Sequence, residues 1–301
     1  MRLDDQRESS NLEDRRGQGG GGFRVGRGGL AAGGGIGAVV VALIAMFFGV
    51  DPGAILGGGA PPQPGYTEQR APAPRPAPGQ TAQRVPGNDD AQARFVSQIL
   101  ASTEDVWTAE FRRAGRQYPA PQLVLFSGAV NSGCGAAQSG MGPFYCPADR
   151  KVYLDTSFFR EMEQRLGAPG DFARAYVIAH EVGHHVQNVL GLLPRAQQAQ
   201  QQAGDRAESN AIQVRVELMA DCLAGFWARR AEQMSRFLEP GDIEEGLGAA
   251  AAVGDDRLQK ASRGQVVPET FTHGSSAQRV TWFRRGLQAE NVQACDAFAA
   301  R

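Results

Sequence analysis

The sequence predicts a helix-dominated α+β domain with a small β-sheet or hairpin, preceded by one transmembrane helix. Three observations predict it. Residues 28–50 carry no charge, residues 51–90 are rich in Pro and Gly, and residues 91–301 hold long stretches of helical periodicity with a few short apolar runs in their first third.

The N-terminal elements follow from composition. Residues 1–27 are polar, contain six Arg and show no apolar period, which predicts a disordered tail. The run GGLAAGGGIGAVVVALIAMFFGV spans 23 residues between Arg27 and Asp51. A bilayer core needs about 20 apolar residues in a helix, so this run is long enough to cross. A cleaved signal peptide is the other reading, but the charged stretch ahead of the run is long for one, and so is the run itself. The first basic residue after it is Arg70. That Arg asymmetry predicts a cytoplasmic tail and a periplasmic or otherwise extracytoplasmic main domain, with the membrane as a partner through a single-pass anchor. The Pro-rich 51–90 segment reads as an extended spacer.

Within 91–301, Phe95, Ile99, Val106 and Phe111 lie at helical spacing over 92–116. Leu123–Phe126 is a short strand, and Phe144–Cys146 with Lys151–Leu154 flank a PADR turn as a hairpin. Further helices are predicted over 157–166, 171–190 with Asp171 as a cap, 205–231 with Asp205 as a cap, 242–261 and 275–289. The 31 Lys+Arg against 32 Asp+Glu leave a net charge of −1, without the basic excess that phosphate binding requires, so no nucleic-acid partner is expected.

The chemistry is concentrated in His180-Glu181-Val182-Gly183-His184. On a helix, positions i and i+4 share a face, so His180 and His184 can present two imidazoles to one Zn²⁺. Glu181 is placed to take a proton from the water that the zinc activates. A third ligand is required, and a His pattern that would supply it fails, because residue 187 is Gln and residue 190 is Leu. Glu217 and Asp221 are again i and i+4, on an otherwise apolar helix where unpaired carboxylates are costly. Glu217 is the expected third ligand, and Asp221 the acceptor for the second ring N–H of a ligand His.

H-E-x-x-H followed by E-x-x-x-D resembles the gluzincin metallopeptidases. More closely, the chain resembles the bacterial family of neutral zinc metallopeptidases through EDRRG (13–17), GPFYCPADRKVYLD (142–155), HEVGHHVQ (180–187), ELMADCLAG (217–225), GDDRLQ (254–259) and FTHGSSAQRVTWF (271–283). The resemblance implies a zincin-like fold, a membrane anchor, Zn²⁺ and a peptide or protein substrate. It also implies that a later His or Tyr donates to the oxyanion of the tetrahedral intermediate, which makes His273 a catalytic candidate and Tyr153 a weaker one. In zincins an edge strand ahead of the metal helix pairs with the substrate, the role expected of the 143–155 hairpin.

His185 points about 100° away from His184 on the helix and reads as structural. Asp255, Asp256 and Arg257 read as a structural ion-pair cluster or as carboxylates that support a residue of the metal site. Cys134, Cys146, Cys222 and Cys295 form no C-x-x-C pair. An even count outside the cytoplasm favours disulfides, and Cys134–Cys146 is the local choice, leaving Cys222–Cys295. The leading expectation is a membrane-anchored zinc endopeptidase. The alternatives are a tethered scaffold with structural zinc and an amidase acting on cell-wall peptides.

Overall fold

Leu123, Val124, Leu125 and Phe126 are all buried, as a strand covered on both faces requires. They form most of β2 (Gln122–Phe126), an inner strand of a four-stranded sheet in the order β1-β2-β6-β5. Here β1 is Leu12–Asp14, β5 is Phe144–Cys146 and β6 is Lys151–Asp155. The strands β1, β2 and β6 are parallel, and β5 is antiparallel to β6 at the outer edge, with Tyr145 opposite Val152. The expected hairpin is therefore present. A second ribbon, β3 (Ala129–Ser132) with β4 (Gly135–Gln138), was not anticipated, because its sequence is too short and Gly-rich for an alternating pattern. The structure is a computed structural model that describes residues 1–17, 88–138 and 141–299.

Eight α-helices follow among the described residues: α1 (Asn88–Arg113), α2 (Phe158–Gln164), α3 (Asp171–Val189), α4 (Leu192–Gln201), α5 (Arg206–Ser235), α6 (Asp242–Ala252), α7 (Asp255–Arg263) and α8 (Ser276–Gln288). The helix-dominated α+β class is as expected. Asp205 caps α5 by accepting from the Glu208 N–H at 2.8 Å. At α3 the cap residue is Gly170, and Asp171 is the first helical residue instead. The single helix expected over 242–261 breaks at Gly254, where an added Cβ would lie 2.4 Å from the Ser276 nitrogen. The backbone of α8 rests directly on α5, since a Cβ on Gly286 would come 1.9 Å from the Cys222 carbonyl oxygen. Around α3 and α5 lies the main core, which includes Phe172, Tyr176, Leu223, Phe226, Trp227 and Phe283.

The expectation of a disordered tail over 1–27 does not hold for residues 1–17. Leu12, Glu13 and Asp14 pair with Leu123, Val124 and Leu125. Ser9 is buried, with its N–H donating to Ser97 Oγ at 2.9 Å and its hydroxyl to Glu104. Arg7 is paired with Glu104 at 2.9 Å and Asp105 at 2.7 Å, and Lys151 reaches Glu13 at 3.1 Å. The N-terminal ammonium sits between Asp171 at 2.8 Å and Glu239 at 3.0 Å. Backbone pairing and charge hold this segment, and neither leaves an apolar period to read. The rest of the expected tail, the 28–50 run and the 51–90 spacer lie outside the described residues, except that 88–90 open α1. No helix among the described residues is long and apolar enough to cross a membrane.

Candidate metal centre

The apolar stretch Ala175–Ala179 buries α3 in the core and carries His180, Glu181 and His184 on its next turns. Helix α5 crosses α3 closely at Gly183, where an added Cβ would stand 3.1 Å from the Ala220 carbonyl oxygen. That approach brings Glu217 over both imidazoles: its Oε2 is 3.2 Å from His180 Nε2 and 3.5 Å from His184 Nε2. One ligand atom from each of the three residues lies within 4.8 Å of the others.

The surroundings fix how each group points. His180 Nδ1 is 2.9 Å from Asp221 Oδ1, and His184 Nδ1 is 2.9 Å from Gln187 Oε1. Both acceptors assign a proton to Nδ1 and turn the Nε2 atoms, the ones that could ligate a metal, toward Glu217. The Gln187 amide is itself fixed, donating to the Val216 carbonyl at 2.7 Å. Gln213 Nε2 donates to Glu217 Oε1 at 2.9 Å and accepts in turn from Gln200 at 3.2 Å. Asp221 is fully buried and takes two bonds from Arg279, Nε to Oδ2 at 2.9 Å and Nη2 to Oδ1 at 2.8 Å, with the Tyr176 hydroxyl as a further donor.

These contacts set the electrostatics. Burial opposes the Glu217 charge, yet the neighbouring His184 and His180 hold the carboxyl well below its ordinary range. Burial likewise opposes Asp221, and Arg279 outweighs it. For His180 burial disfavours the cation, but the bonds to Asp221 and Glu217 raise its pKa to about 9. Glu181 differs. Burial pushes its carboxyl up, and His184 and His180 only partly offset that. The donor set fits a divalent metal. Two Nε2 atoms and one carboxylate oxygen converge in a buried space where a metal cation would take the place of the proton that His180 otherwise holds, and N₂O ligation suits zinc.

His273 stands beside this group, near enough to Glu217 for each to shift the other's titration. Its Nδ1 is 3.2 Å from Asp255 Oδ1, and Asp255 Oδ2 accepts the backbone N–H groups of Thr272 at 2.7 Å, His273 at 2.6 Å and Gly274 at 3.1 Å. His273 Nε2 is buried without a hydrogen-bond partner. Of the two sequence readings of Asp255, the supporting one fits: it is the anchor of the His273 loop. Tyr153 is elsewhere, with its hydroxyl donating to Asp149 at 2.7 Å. His185 is structural as expected: it lies between the Tyr145 hydroxyl at 3.1 Å and the Pro119 carbonyl at 2.6 Å. Sequence reasoning missed Tyr176, Gln187, Gln213 and Arg279. Only Arg279 left a signal, a charge on the same stripe as Phe283 and Gly286 of α8. Both expected disulfides are present, Cys134–Cys146 and Cys222–Cys295.

The family model described as "Putative neutral zinc metallopeptidase" matches residues 1–298. The uncharacterised protein YpfJ of Escherichia coli K12 is 47% identical over 306 residues, covering 99% of each chain. The uncharacterised protein Rv2575 of Mycobacterium tuberculosis H37Rv is 44% identical over 266 residues, covering 85% of each. No solved structure matches the chain at a significant level.

Proposed function

The chain belongs to the putative neutral zinc metallopeptidase family, and from that premise we propose that it is a zinc-dependent endopeptidase with a zincin-like catalytic domain. His180, His184 and Glu217 would hold the metal, which when bound polarises the scissile carbonyl and acidifies the attacking water. The observation that carries this reading is the convergence of the two Nε2 atoms on Glu217 with a buried, proton-seeking Glu181 beside them.

The chain's own residues divide the remaining work. Glu181, its carboxyl raised by burial, accepts the proton of the attacking water and delivers it to the leaving amine. His273 has its Nδ1 side committed to Asp255, so Nε2 is the atom that faces outward from that pair and donates to the oxyanion. Asp221, with its charge balanced by Arg279, keeps His180 in the Nδ1–H tautomer. Strand β5 is antiparallel, lies at the sheet edge and is tied to α3 through Tyr145, which meets His185 and Asn188; an extended peptide added there would run beside the metal helix. The two disulfides favour an oxidising compartment as the place of action.

The test combines metal content with turnover of a quenched fluorescent peptide library. Wild type should hold one zinc per chain. Glu181→Gln should keep the zinc and lose about 10²–10⁴-fold in rate, while Glu217→Ala should lose the metal. Full turnover by Glu181→Gln would overturn the assignment.

A further inference from the structure

The residues that precede and follow the uncharged 28–50 run belong to one sheet. β1 pairs with β2 in parallel, Leu12 opposite Leu123 through Asp14 opposite Leu125, and the Arg15 N–H continues the ladder to the Leu125 carbonyl at 2.8 Å. The attachment is not confined to those three residues. Gln98 Nε2 donates to the Leu3 carbonyl at 2.7 Å, Asn11 Nδ2 donates to Glu104 at 2.8 Å, and the Ser9 N–H also approaches the Ser97 carbonyl at 3.2 Å.

The described chain stops at Gly17 and resumes at Asn88, both at one end of the sheet. β1, β2 and β6 end together at Asp14, Phe126 and Asp155. The first turns of α1 return to that end, where Gln92 Nε2 donates to the carbonyl of Thr156, one residue past β6, at 3.3 Å. Paired strands lie about 4.8 Å apart, whereas a bilayer's hydrocarbon core is about 30 Å thick. A run that crossed once between residues 17 and 88 would put β1 and β2 on opposite faces, which the pairing forbids.

We propose that residues 1–17 and 88–299 lie in the same compartment, so that the 28–50 run does not divide the chain across a membrane. The Arg bias that predicted a cytoplasmic tail has a different origin in the fold. Arg7 serves Glu104 and Asp105, Arg15 serves Glu13, Arg16 serves Asp14, and Arg2 donates to the Leu238 carbonyl at 3.0 Å. Four of the six tail Arg thus have partners inside the folded unit, and their number is no record of a charge barrier to translocation.

Thiol accessibility in cells producing the full chain tests this. All four native cysteines are in disulfides, so one introduced cysteine is a unique label. Asp5→Cys and Glu163→Cys sit at exposed positions on either side of the run. With a membrane-impermeant maleimide the two should behave alike, both reacting in intact spheroplasts or both only after permeabilisation. One reacting directly while the other waits for permeabilisation would overturn the proposal. A Ser9→Cys/Ser97→Cys pair gives a second readout. After treatment with a membrane-permeant oxidant, same-side folding yields a reducible intrachain crosslink in the membrane fraction whichever compartment holds the two segments, and two titratable thiols there would refute it. Neither result depends on the zinc site, so failure here leaves the proposed activity standing.

Discussion

His273 is placed by an anion and not by a helix. Asp255 takes three consecutive backbone N–H groups on one oxygen and the imidazole on the other, so the loop and the ring orientation share a single carboxylate. If His273 donates to the oxyanion as proposed, His273→Ala should keep the zinc and lower kcat by about 10²–10³-fold, the usual cost of removing one such donor. Asp255→Asn retains an oxygen for the backbone but not the charge that favours the imidazole's donor form, and should lower kcat less, with KM little changed; steady-state kinetics separates the two variants. His185 is a second residue with a readable consequence. Burial depresses its ring pKa to about 4, against an ordinary value of 6.5. The unfolded chain therefore binds that proton more tightly. Stability from this residue is full above pH 6.5 and is lost as the pH falls toward 4, by about 3 kcal/mol in all. Denaturation of zinc-stripped protein across that window should show a flatter slope in His185→Gln than in wild type.

At the scale of elements, α5 is the member on which the site depends. It carries Glu217 and Asp221 one turn apart, meets α3 at Gly183 and α8 at Gly286, and is bonded through Cys222 to the chain's last turn, Val292–Cys295. Cys222 directly follows Asp221, so the covalent brace acts where Arg279 and His180 converge. The Cys222–Cys295 link spans 73 residues and Cys134–Cys146 spans 12. In the chain-entropy model these are worth about 4 and about 3 kcal/mol. Cys295→Ser should lower the melting temperature more than Cys134→Ser, and it alone should weaken zinc retention against a chelator. Calorimetry with a competition titration decides both points, since equal chelator sensitivity in the two variants would show that the brace does not reach the metal.

The whole molecule is closed by its own first residues. β1 covers the edge of β2, the ammonium terminus sits at Asp171 and Glu239, and Arg7, Ser9 and Asn11 gather on Glu104 of α1. Deleting residues 1–17 would expose an apolar strand edge and leave Glu104 buried without its partners, two liabilities at once. The truncated chain should melt several degrees lower and aggregate on heating, and a synthetic peptide of residues 1–17 added in trans should restore part of the loss. Unchanged melting after truncation would contradict the integration of this segment.

Local pattern settled much of this protein. The i, i+4 spacing in His180-Glu181-x-x-His184 and in Glu217/Asp221 requires only a helix to bring each pair onto one face, and a helix is what the surrounding apolar residues dictate. The Phe144–Cys146/Lys151–Asp155 hairpin and the two cysteine pairings were legible for the same reason, since each rests on short-range spacing or on elimination among four residues. What joins distant segments was not legible. Arg279 lies 58 residues from Asp221, Asp255 18 from His273, and Leu12 pairs with a strand that begins at Gln122. No period or propensity encodes such pairings. Residues 1–17 look disordered because disorder is judged by missing apolar content, while their stability comes from strand pairing and ion pairs that exist only once β2 and α1 are in place. Only the tertiary structure could decide where that segment belongs, because a hydrogen-bond ladder is specified by the partner strand's free edge and not by the sequence that fills it.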